Sequence, residues 1–230
     1  MASGGSRHRF AEVVAAAAPG EDLVAVGADL SARTLVDAYC AGLFPMGLGE
    51  AGAAPIGWWS PDPRGVLPLD GFHASRSLRS AARRFEIRVD TAFEEVVAAC
   101  GDPARSGAWI TREIAIAYQR LHTHGWAHSV ECWQSDRLVG GVYGVAIGGL
   151  FAGESMFHRT RDASKVALWA LVSLLAQDGE PRRLFDVQWS TPHLRTLGVL
   201  DITRTVYLGR LRAALDCPGV RWPHGPLRPA

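Results

Sequence analysis

The sequence predicts a mixed α/β (α+β) protein, in which a mainly antiparallel sheet is flanked by helices and preceded by a small N-terminal domain. Two observations lead to this fold class. Three consecutive strand-like segments between residues 128 and 153 are joined by short turns. Segments with a helical apolar face alternate with further strand-like segments before and after them. Such an order packs helices against one mixed sheet.

Residues 1–62 are predicted to form the small N-terminal domain, and residues 63–230 the larger one. Two Trp beside two Pro form a rigid junction at Trp58–Pro63, where we place the boundary. Gly and Pro residues end each predicted helix of this part. The predicted elements are a loose tail over residues 1–8, a helix over 9–17, a second helix capped by Ser31 and ended by Gly42 and Pro45, and a loop over 47–57.

The larger domain is predicted from alternating strand and helix patterns. Thr91 and Glu94 have the spacing of a capping box, Thr111 is a suitable N-cap, and Gly148–Gly149 is a hairpin turn. Predicted strands cover residues 64–69, 85–89, 128–133, 138–147, 150–153, 183–188 and 202–208. Predicted helices cover residues 75–84, 91–100, 111–124, 163–177 and 192–197, followed by a short final helix and a loose tail of about a dozen residues. This order resembles the acyltransferase fold of the N-acetyltransferase superfamily, although a fold does not fix a function.

Composition argues against several classes of protein. The net charge of +1 is unlike that of a strongly basic nucleic-acid-binding protein, although it leaves room for a local basic patch. Four widely spaced cysteines lack Cys-x-x-Cys spacing, so neither a zinc knuckle nor a redox pair is indicated. No run approaches the roughly 20 apolar residues of a membrane span. We therefore expect a soluble, cytoplasmic protein.

A single lysine, Lys165, accompanies 23 arginines. Lysine has a compact ammonium group, which suits positions where the forked guanidinium of arginine does not fit. This lysine therefore indicates a functional site. Glu154 and Ser155 are expected directly after a buried strand, at the kind of position where α/β folds commonly place binding residues. The alternative is that the lysine survives by chance and that Glu154 lies in solvent.

Asp186 and Gln188 are two residues apart on a predicted strand and therefore share one face. An Asp on so apolar a strand needs partners if it is buried. We interpret the two as a polar pair that orients and activates an attacking amine. The alternative is a satisfied polar pair at a strand end.

Positively charged and aromatic residues suggest two further surfaces. Arg76, Arg79 and Arg83 share one helical face, which fits either phosphate binding or a solvated surface. Seven apolar residues are suited to line a pocket, but such residues belong more often to a core. They are Trp58, Trp59, Trp109, Phe151, Met156, Leu168 and Leu171.

The histidines His122, His124 and His128 lack helical metal-ligand spacing, and we expect them at the surface or in turns.

Several motifs in order make the chain resemble the leucyl/phenylalanyl-tRNA–protein transferase family. Each motif is weak alone, but their ordered combination from about residue 20 to 210 is highly specific. The motifs are Phe44-Pro45, Trp58–Arg64, Ser75–Ser77, Trp109–Thr111, Ala127–Glu131, Leu138–Ala146, Gly153–Phe157, Ala163–Lys165, Asp186–Gln188, His193 and Leu197-Gly198.

The resemblance implies an enzyme that moves Leu or Phe, and less readily Met, from its tRNA to a protein whose N-terminus is Arg or Lys, and so marks that protein for degradation. It implies no metal and no other cofactor, and we expect a monomer. On this interpretation Asp186 polarises Gln188, which positions the amine, or Asp186 is itself the base. Glu154 helps to hold the cationic acceptor or to orient the reacting ends.

The resemblance also assigns residues to three surfaces. The pocket for the Leu or Phe side chain would comprise Trp109, Val142, Phe151, Ser155, Met156, Leu168, Leu171 and Phe185. The acceptor wall of the N-terminal domain would comprise Tyr39, Met46, Trp58 and Trp59. The tRNA-binding residues would be Arg76, Arg83, Arg84 and Lys165. Met46 and Leu171 stand where the family often has Trp and Phe.

Two rival functions stay open from the sequence. An acyl-CoA-dependent N-acetyltransferase on the same fold should have a Gly-rich pyrophosphate loop before its helix, but residues 159–163 contain no Gly. A non-catalytic tRNA- or peptide-binding protein would have the same basic surface without a catalytic pair.

Overall fold

The structure is a computed structural model that describes residues 5–105, 107–223 and 225–227, with side chains from Arg9 onward. No helix within these residues is long and apolar enough to cross a membrane. Helix α1 spans Gly5–Ala16, so the expected tail over residues 1–8 is helical from Gly5. The first four residues of that tail lie outside the described part of the chain.

The N-terminal part contains a three-stranded antiparallel sheet that the sequence patterns did not predict. Its strands are β1 (Leu23–Val26), β2 (Phe44–Gly47) and β3 (Ile56–Trp59), in the order β1-β3-β2. Helix α2 (Ala32–Cys40) lies between β1 and β2, and Ser31 caps it by accepting the Thr34 N–H. The predicted loop over residues 47–57 is therefore wrong in part, because Gly47 pairs with Ile56 and Met46 with Gly57. Strands of four residues are too short to show a clear periodicity.

The larger part is built on an eight-stranded sheet with the order β10-β4-β9-β8-β7-β6-β5-β11. All neighbours are antiparallel except β8 and β9, which are parallel because helix α6 (Ala163–Ala176) connects them. The predicted mixed, mainly antiparallel sheet is confirmed. The strands are β4 (Arg64–Val66), β5 (Glu86–Val89), β6 (Ala127–Gln134), β7 (Arg137–Ile147), β8 (Leu150–His158), β9 (Leu184–Gln188), β10 (Leu200–Ile202) and β11 (Gly225–Leu227).

Helices cover both faces of this sheet. Helices α4 and α5 pack with the N-terminal part on the face of Tyr143 and Val145. Helix α6 packs on the opposite face against Val142, Phe151 and Phe185. The helices are α3 (Arg76–Ala82), α4 (Phe93–Cys100), α5 (Arg112–Thr123), α6 (Ala163–Ala176), α7 (Pro192–Arg195) and α8 (Arg204–Leu215). The predicted cap at Thr111 is confirmed.

The predicted capping box at Thr91 and Glu94 is wrong. Helix α4 begins at Phe93, and its N-cap Ala92 makes no side-chain cap bond. The buried carboxylate of Glu131 on β6 instead accepts the N–H groups of Thr91 and Ala92, at 3.1 and 3.2 Å. An anion at a helix N-terminus also matches the helix dipole. A partner from a distant strand therefore replaces the local pattern.

The predicted strand over residues 202–208 is also wrong. Strand β10 ends at Ile202, and Thr203 caps helix α8 by accepting the Val206 N–H. The segment is rich in β-branched residues, which explains the prediction. Burial of Tyr207, Leu211 and Ala214 on one helical face overrides that propensity.

Part of the C-terminal segment, where a loose tail was expected, pairs with the sheet. Residues 225–227 pair with β5 as strand β11, whereas residues 224 and 228–230 lie outside the described part. Trp222 stacks on His128, with ring centroids 4.0 Å apart. His128 is buried, and its Nδ1 lies 2.6 Å from Asp90 Oδ2, so the expectation of a surface or turn position is wrong for this histidine.

Candidate active site

Glu154 lies at a β-bulge inside strand β8, not after the end of a strand as expected. The register pairs Gly144 with Gly153 and Tyr143 with Ser155, so Glu154 has no partner on β7. A bulge of this kind redirects a side chain. It leaves Glu154 buried, with 7% of its surface exposed. The apolar run ends at Gly153, but backbone pairing continues through His158, which is why the predicted strand was too short.

Three donors surround the Glu154 carboxylate. Its Oε1 accepts hydrogen bonds from the Tyr39 hydroxyl at 2.7 Å and from Gln188 Nε2 at 2.9 Å. Its Oε2 lies 2.7 Å from the Tyr118 hydroxyl. The two tyrosine hydroxyls are themselves 2.6 Å apart. The carboxyl group and the two hydroxyls therefore form a closed triangle of short oxygen–oxygen contacts.

Burial sets the protonation behaviour of this cluster. It raises the pKa of Glu154 from its ordinary 4.5 to about 7, although hydrogen bonds from the two tyrosines lower it. Burial also raises the pKa values of Tyr39 and Tyr118 well above 10, so both hydroxyls keep their protons at neutral pH. A carboxyl group that titrates near neutrality is typical of a functional site.

Gln188 ends strand β9 in an unusual backbone conformation. Its φ of 65° lies in the left-handed region, which residues other than Gly rarely adopt. The simple alternation predicted for Asp186 and Gln188 therefore breaks at Gln188. The side-chain nitrogen of Gln188 is turned towards Glu154, and no hydrogen bond among the described residues uses its Oε1. That oxygen is available as an acceptor.

Asp186 is a saturated, fully buried carboxylate. Arg64 donates to both of its oxygens, at 2.9 and 2.6 Å, and the Tyr207 hydroxyl donates at 2.8 Å. The fourth donor is the backbone N–H of Gln188, at 2.9 Å. Asp186 therefore holds the backbone of Gln188 and does not contact its side-chain amide, which corrects the predicted polarisation of that amide by Asp186.

The residues predicted for the aminoacyl pocket fall into two groups. Most pack against one another in the core under helix α6, where Met156 is half-buried and the others are buried. Trp109 and Ser155 are half-buried, and Trp109 packs against the core that includes the N-terminal part. The buried members are Val142, Phe151, Leu168, Leu171 and Phe185. A cavity of about 690 Å³ lies elsewhere, between β4, β9 and α8, and only Phe185 of the predicted set borders it.

The predicted acceptor wall is brought together only in part. Tyr39 reaches Glu154, and Trp59 and Met46 are half-buried neighbours, joined by a hydrogen bond from the Trp59 indole to the Met46 carbonyl at 3.1 Å. Trp58 has 1% of its surface exposed and donates to the Gly27 carbonyl, so it supports the wall from within the core. Trp189 was missed, and its ring packs 5.7 Å from that of Trp59.

The predicted tRNA-binding residues share one exposed region. Four arginines on and after helix α3 are exposed, and Lys165 at the start of helix α6 is half-buried beside them. Arg84 and Lys165 approach the same carboxylate, that of Asp162, at 3.7 and 4.0 Å. We call Arg76, Arg79, Arg83, Arg84 and Lys165 the basic surface.

Sequence reasoning missed three residues of the site. Tyr118 lies on the apolar face of helix α5, where a tyrosine gives no signal beyond that of a core residue. Tyr207 fell within the wrongly predicted strand. Arg64 belonged to a quoted motif, but nothing in its neighbourhood indicated a partner 122 positions away. Among the residues described, no group of three or more His, Cys, Asp or Glu side chains is arranged to hold a metal ion.

Two family models and several named proteins are similar to this chain. The chain matches the family model described as leucyl/phenylalanyl-tRNA protein transferase over residues 66–212, and the model of the N-terminal domain of the same family over residues 28–62. Three similar proteins each carry the name leucyl/phenylalanyl-tRNA–protein transferase. The one from Herpetosiphon aurantiacus is 50% identical over 191 residues, which cover 82% of this chain and 96% of that protein. Those from Pseudoalteromonas atlantica and Rhodospirillum rubrum are 46% and 47% identical, over 85% and 83% of this chain and 83% and 90% of their own lengths.

Proposed function

The chain belongs to the leucyl/phenylalanyl-tRNA–protein transferase family and is an aminoacyltransferase, and we propose that it moves Leu or Phe, and less readily Met, to proteins whose N-terminus is Arg or Lys. The observation that carries the proposal is the placement of Gln188, whose side-chain amide donates to Glu154 and whose backbone N–H donates to Asp186. The transferred residue would mark the acceptor for degradation. We place the reaction in the cytoplasm and assign it to a monomer without a cofactor.

The chemistry needs alignment more than activation. An aminoacyl ester is already activated, and its aminolysis to an amide is downhill, so holding the amine against the ester supplies most of the acceleration. An α-amino group has a pKa of about 7.7–8.0, so a useful neutral fraction exists near pH 7. The amine nitrogen bonds to the carbonyl carbon, and the ribose hydroxyl leaves with a proton.

We assign Gln188 the role of positioning the amine. Its Nε2 is engaged by Glu154, and its Oε1 is then oriented to accept an N–H of the attacking amine. Asp186 and Arg64 form a rigid support, because they fix the backbone of Gln188 from a fully buried ion pair. Among the described residues, four donor groups occupy the oxygens of Asp186, so we do not assign it the role of direct base.

The proposed division at residue 62 fits this assignment. Residues 1–62 contribute the three-stranded sheet and Tyr39, whereas residues 63–230 contribute the eight-stranded sheet with Glu154 and Gln188. The acceptor protein would bind along Met46 and Trp59 of the predicted wall, whereas Tyr39, with 1% of its surface exposed, supports Glu154 from within the core. The apolar core under helix α6 would admit the Leu or Phe side chain, and the flexible, half-buried Met156 is suited to move aside for it. Such a pocket separates side chains by only about 1–3 kcal/mol per methylene, which fits a relaxed preference.

The proposal is tested by mixing the protein with labelled Phe-tRNA and a peptide that begins with Arg. We expect the label in the peptide, and none in the same peptide with an acetylated N-terminus. A characterised member of the family serves as the positive control in the same tRNA preparation. No transfer beside an active control would contradict the proposal and leave the non-catalytic binding protein as the better interpretation. Transfer of acetyl groups from acetyl-CoA would favour the other rival.

Charge removal from the basic surface is expected to weaken the salt dependence of tRNA binding. Each phosphate contact releases counterions, so Arg83→Ala and Arg84→Ala should each reduce the slope of log K against log salt by about 1. Arg112→Ala is the matched control, because Arg112 is an exposed arginine on helix α5 at the opposite face of the sheet. The slopes are measured between low and physiological salt with tRNA that carries no amino acid. If both variants keep the slope of the unmodified protein, these arginines only face water.

A further inference from the structure

The triangle of Glu154, Tyr39 and Tyr118 contains three oxygen–oxygen contacts that each need a proton. The contacts measure 2.7, 2.7 and 2.6 Å, which is the range of O–H···O hydrogen bonds. Each tyrosine hydroxyl carries one proton, and an ionised carboxylate carries none. An ionised Glu154 therefore leaves two protons for three contacts, and one pair of oxygens meets at bonding distance with nothing between them. One further proton satisfies all three contacts.

We propose that Glu154 is protonated in the resting enzyme, and that Tyr39 and Tyr118 are positioning residues which close a ring of three protons with it. In this ring the Glu154 Oε2–H donates to the Tyr118 oxygen, Tyr118 donates to Tyr39, and Tyr39 donates to Glu154 Oε1. Gln188 Nε2 donates to the same Oε1, which is the carbonyl oxygen of the neutral acid. The ring thus fixes both the proton on Glu154 and the orientation of the Gln188 amide.

The surroundings of the ring favour the neutral acid. Among the described residues, helices α2 and α5 contribute the two tyrosines, strand β7 contributes Tyr143, and strand β9 contributes Gln188 and Asp186. Cys100 at the end of helix α4 and Arg105 after it act on Tyr143. The cation that acts on Glu154, Arg64 on β4, is engaged by both oxygens of Asp186. No salt bridge among the described residues engages Glu154, and burial penalises its charge.

A neutral Glu154 has a consequence for the reaction, which rests on the proposed function. A buried carboxylate beside the acceptor amine would stabilise the ammonium form and raise the pKa of the amine. Less of the neutral amine, which is the nucleophile, would then be present. A neutral acid leaves the amine free to lose its proton. Glu154 would then orient Gln188 without attracting the positive charge of the acceptor, which differs from the expectation that Glu154 holds a cation.

The ring is tested by titrating Glu154 directly, without substrates. The protein is labelled with ¹³C at the Glu carboxyl carbon, and the Glu154 signal is identified as the one that Glu154→Gln removes. We expect the unmodified protein to have the carboxylic acid signal of Glu154 at pH 6. Tyr118→Phe removes the oxygen that accepts the Glu154 proton, which destabilises the neutral acid. It also removes the contact that lacks a proton when Glu154 is ionised, which stabilises the ionised form. The titration midpoint of Glu154 should therefore fall by about 0.5–1 pH unit. Tyr143→Phe is the matched control and should leave the midpoint unchanged, because the Tyr143 hydroxyl has no hydrogen-bond partner among the described residues.

The opposite interpretation predicts the opposite sign. If the two tyrosines only donate to an ionised carboxylate, loss of one donor raises the midpoint. A rise in Tyr118→Phe, or an ionised Glu154 at pH 6 in the unmodified protein, would overturn the proposal. Tyr39→Phe provides a second variant with the same expected fall if Tyr118→Phe does not fold. In a plot of the transfer rate against pH, the decline at high pH should shift together with the titration midpoint of Glu154. A protein that titrates as expected but transfers nothing would contradict the proposed function alone.

Discussion

Replacing Arg64 with methionine is expected to lower the free energy of unfolding by about 3–5 kcal/mol and to abolish transfer. The Arg64 side chain has 1% of its surface exposed, and Asp186 has none. Removing the guanidinium leaves the Asp186 carboxylate buried without a cation, which is the costly half of breaking a buried pair. Methionine retains most of the apolar contact with the rings of Phe44 and Tyr207, between which the guanidinium lies. The loss of stability in Arg64→Met therefore comes more from the removed charge than from the change in side-chain volume.

A double-mutant cycle separates the stranded charge from other causes. Combining Arg64→Met with Asp186→Asn removes both charges, so the double variant should be more stable than Arg64→Met alone. Arg64→Lys should give an intermediate loss, because lysine keeps the charge but not the bidentate fork. Midpoints and slopes of urea unfolding are measured for these three variants and for Asp186→Asn alone, which completes the cycle. Additive losses in the double variant would mean that the pair is not coupled and that Arg64 stabilises the fold by packing alone.

The central sheet was predictable because its strands carry strong local signals. Strands β6 to β8 form a meander with short turns, and helix α6 has a long apolar sequence. Elements whose local preference conflicts with burial were not predictable. The β-branched residues at the start of helix α8 favour a strand in isolation, and helix α4 takes its cap from Glu131 on β6. In both places a tertiary contact outweighs the local pattern.

The candidate site divides in the same way. Glu154, Asp186 and Gln188 stand in motifs that can be recognised along the chain, whereas their partners Tyr118 and Tyr207 do not. Arg64 stands in such a motif, but the motif does not indicate its partner Asp186. Two backbone features also escape a periodic pattern. A β-bulge directs the Glu154 side chain, and a left-handed φ directs that of Gln188. The sequence therefore identifies which polar residues matter, but their roles depend on contacts that only the folded chain defines.

Replacing Gln188 with alanine is expected to reduce the rate of transfer by about 10²–10³-fold while tRNA affinity stays unchanged. A positioned group that interacts with the reacting amine typically contributes this much. Gln188 donates to Glu154, and no hydrogen bond among the described residues joins it to the basic surface. Gln119→Ala is the matched control, because Gln119 is a half-buried glutamine on helix α5 bonded to Glu94. Single-turnover transfer from Phe-tRNA measures the chemical step apart from binding. A rate within a few-fold of that of the unmodified protein would remove Gln188 from the mechanism.

The backbone of Gln188 offers a second variant that separates stability from activity. Its φ of 65° costs a residue with a Cβ about 1–3 kcal/mol, and glycine adopts this conformation without that cost. Gln188→Gly should therefore be more stable than Gln188→Ala, although both lose the amide and the same fraction of the transfer rate. Thermal unfolding and single-turnover rates measured on the pair decide between two explanations. If activity follows stability across the two variants, Gln188 serves the fold. If activity is equally low in both, the strained backbone is maintained because it holds the Gln188 amide against Glu154.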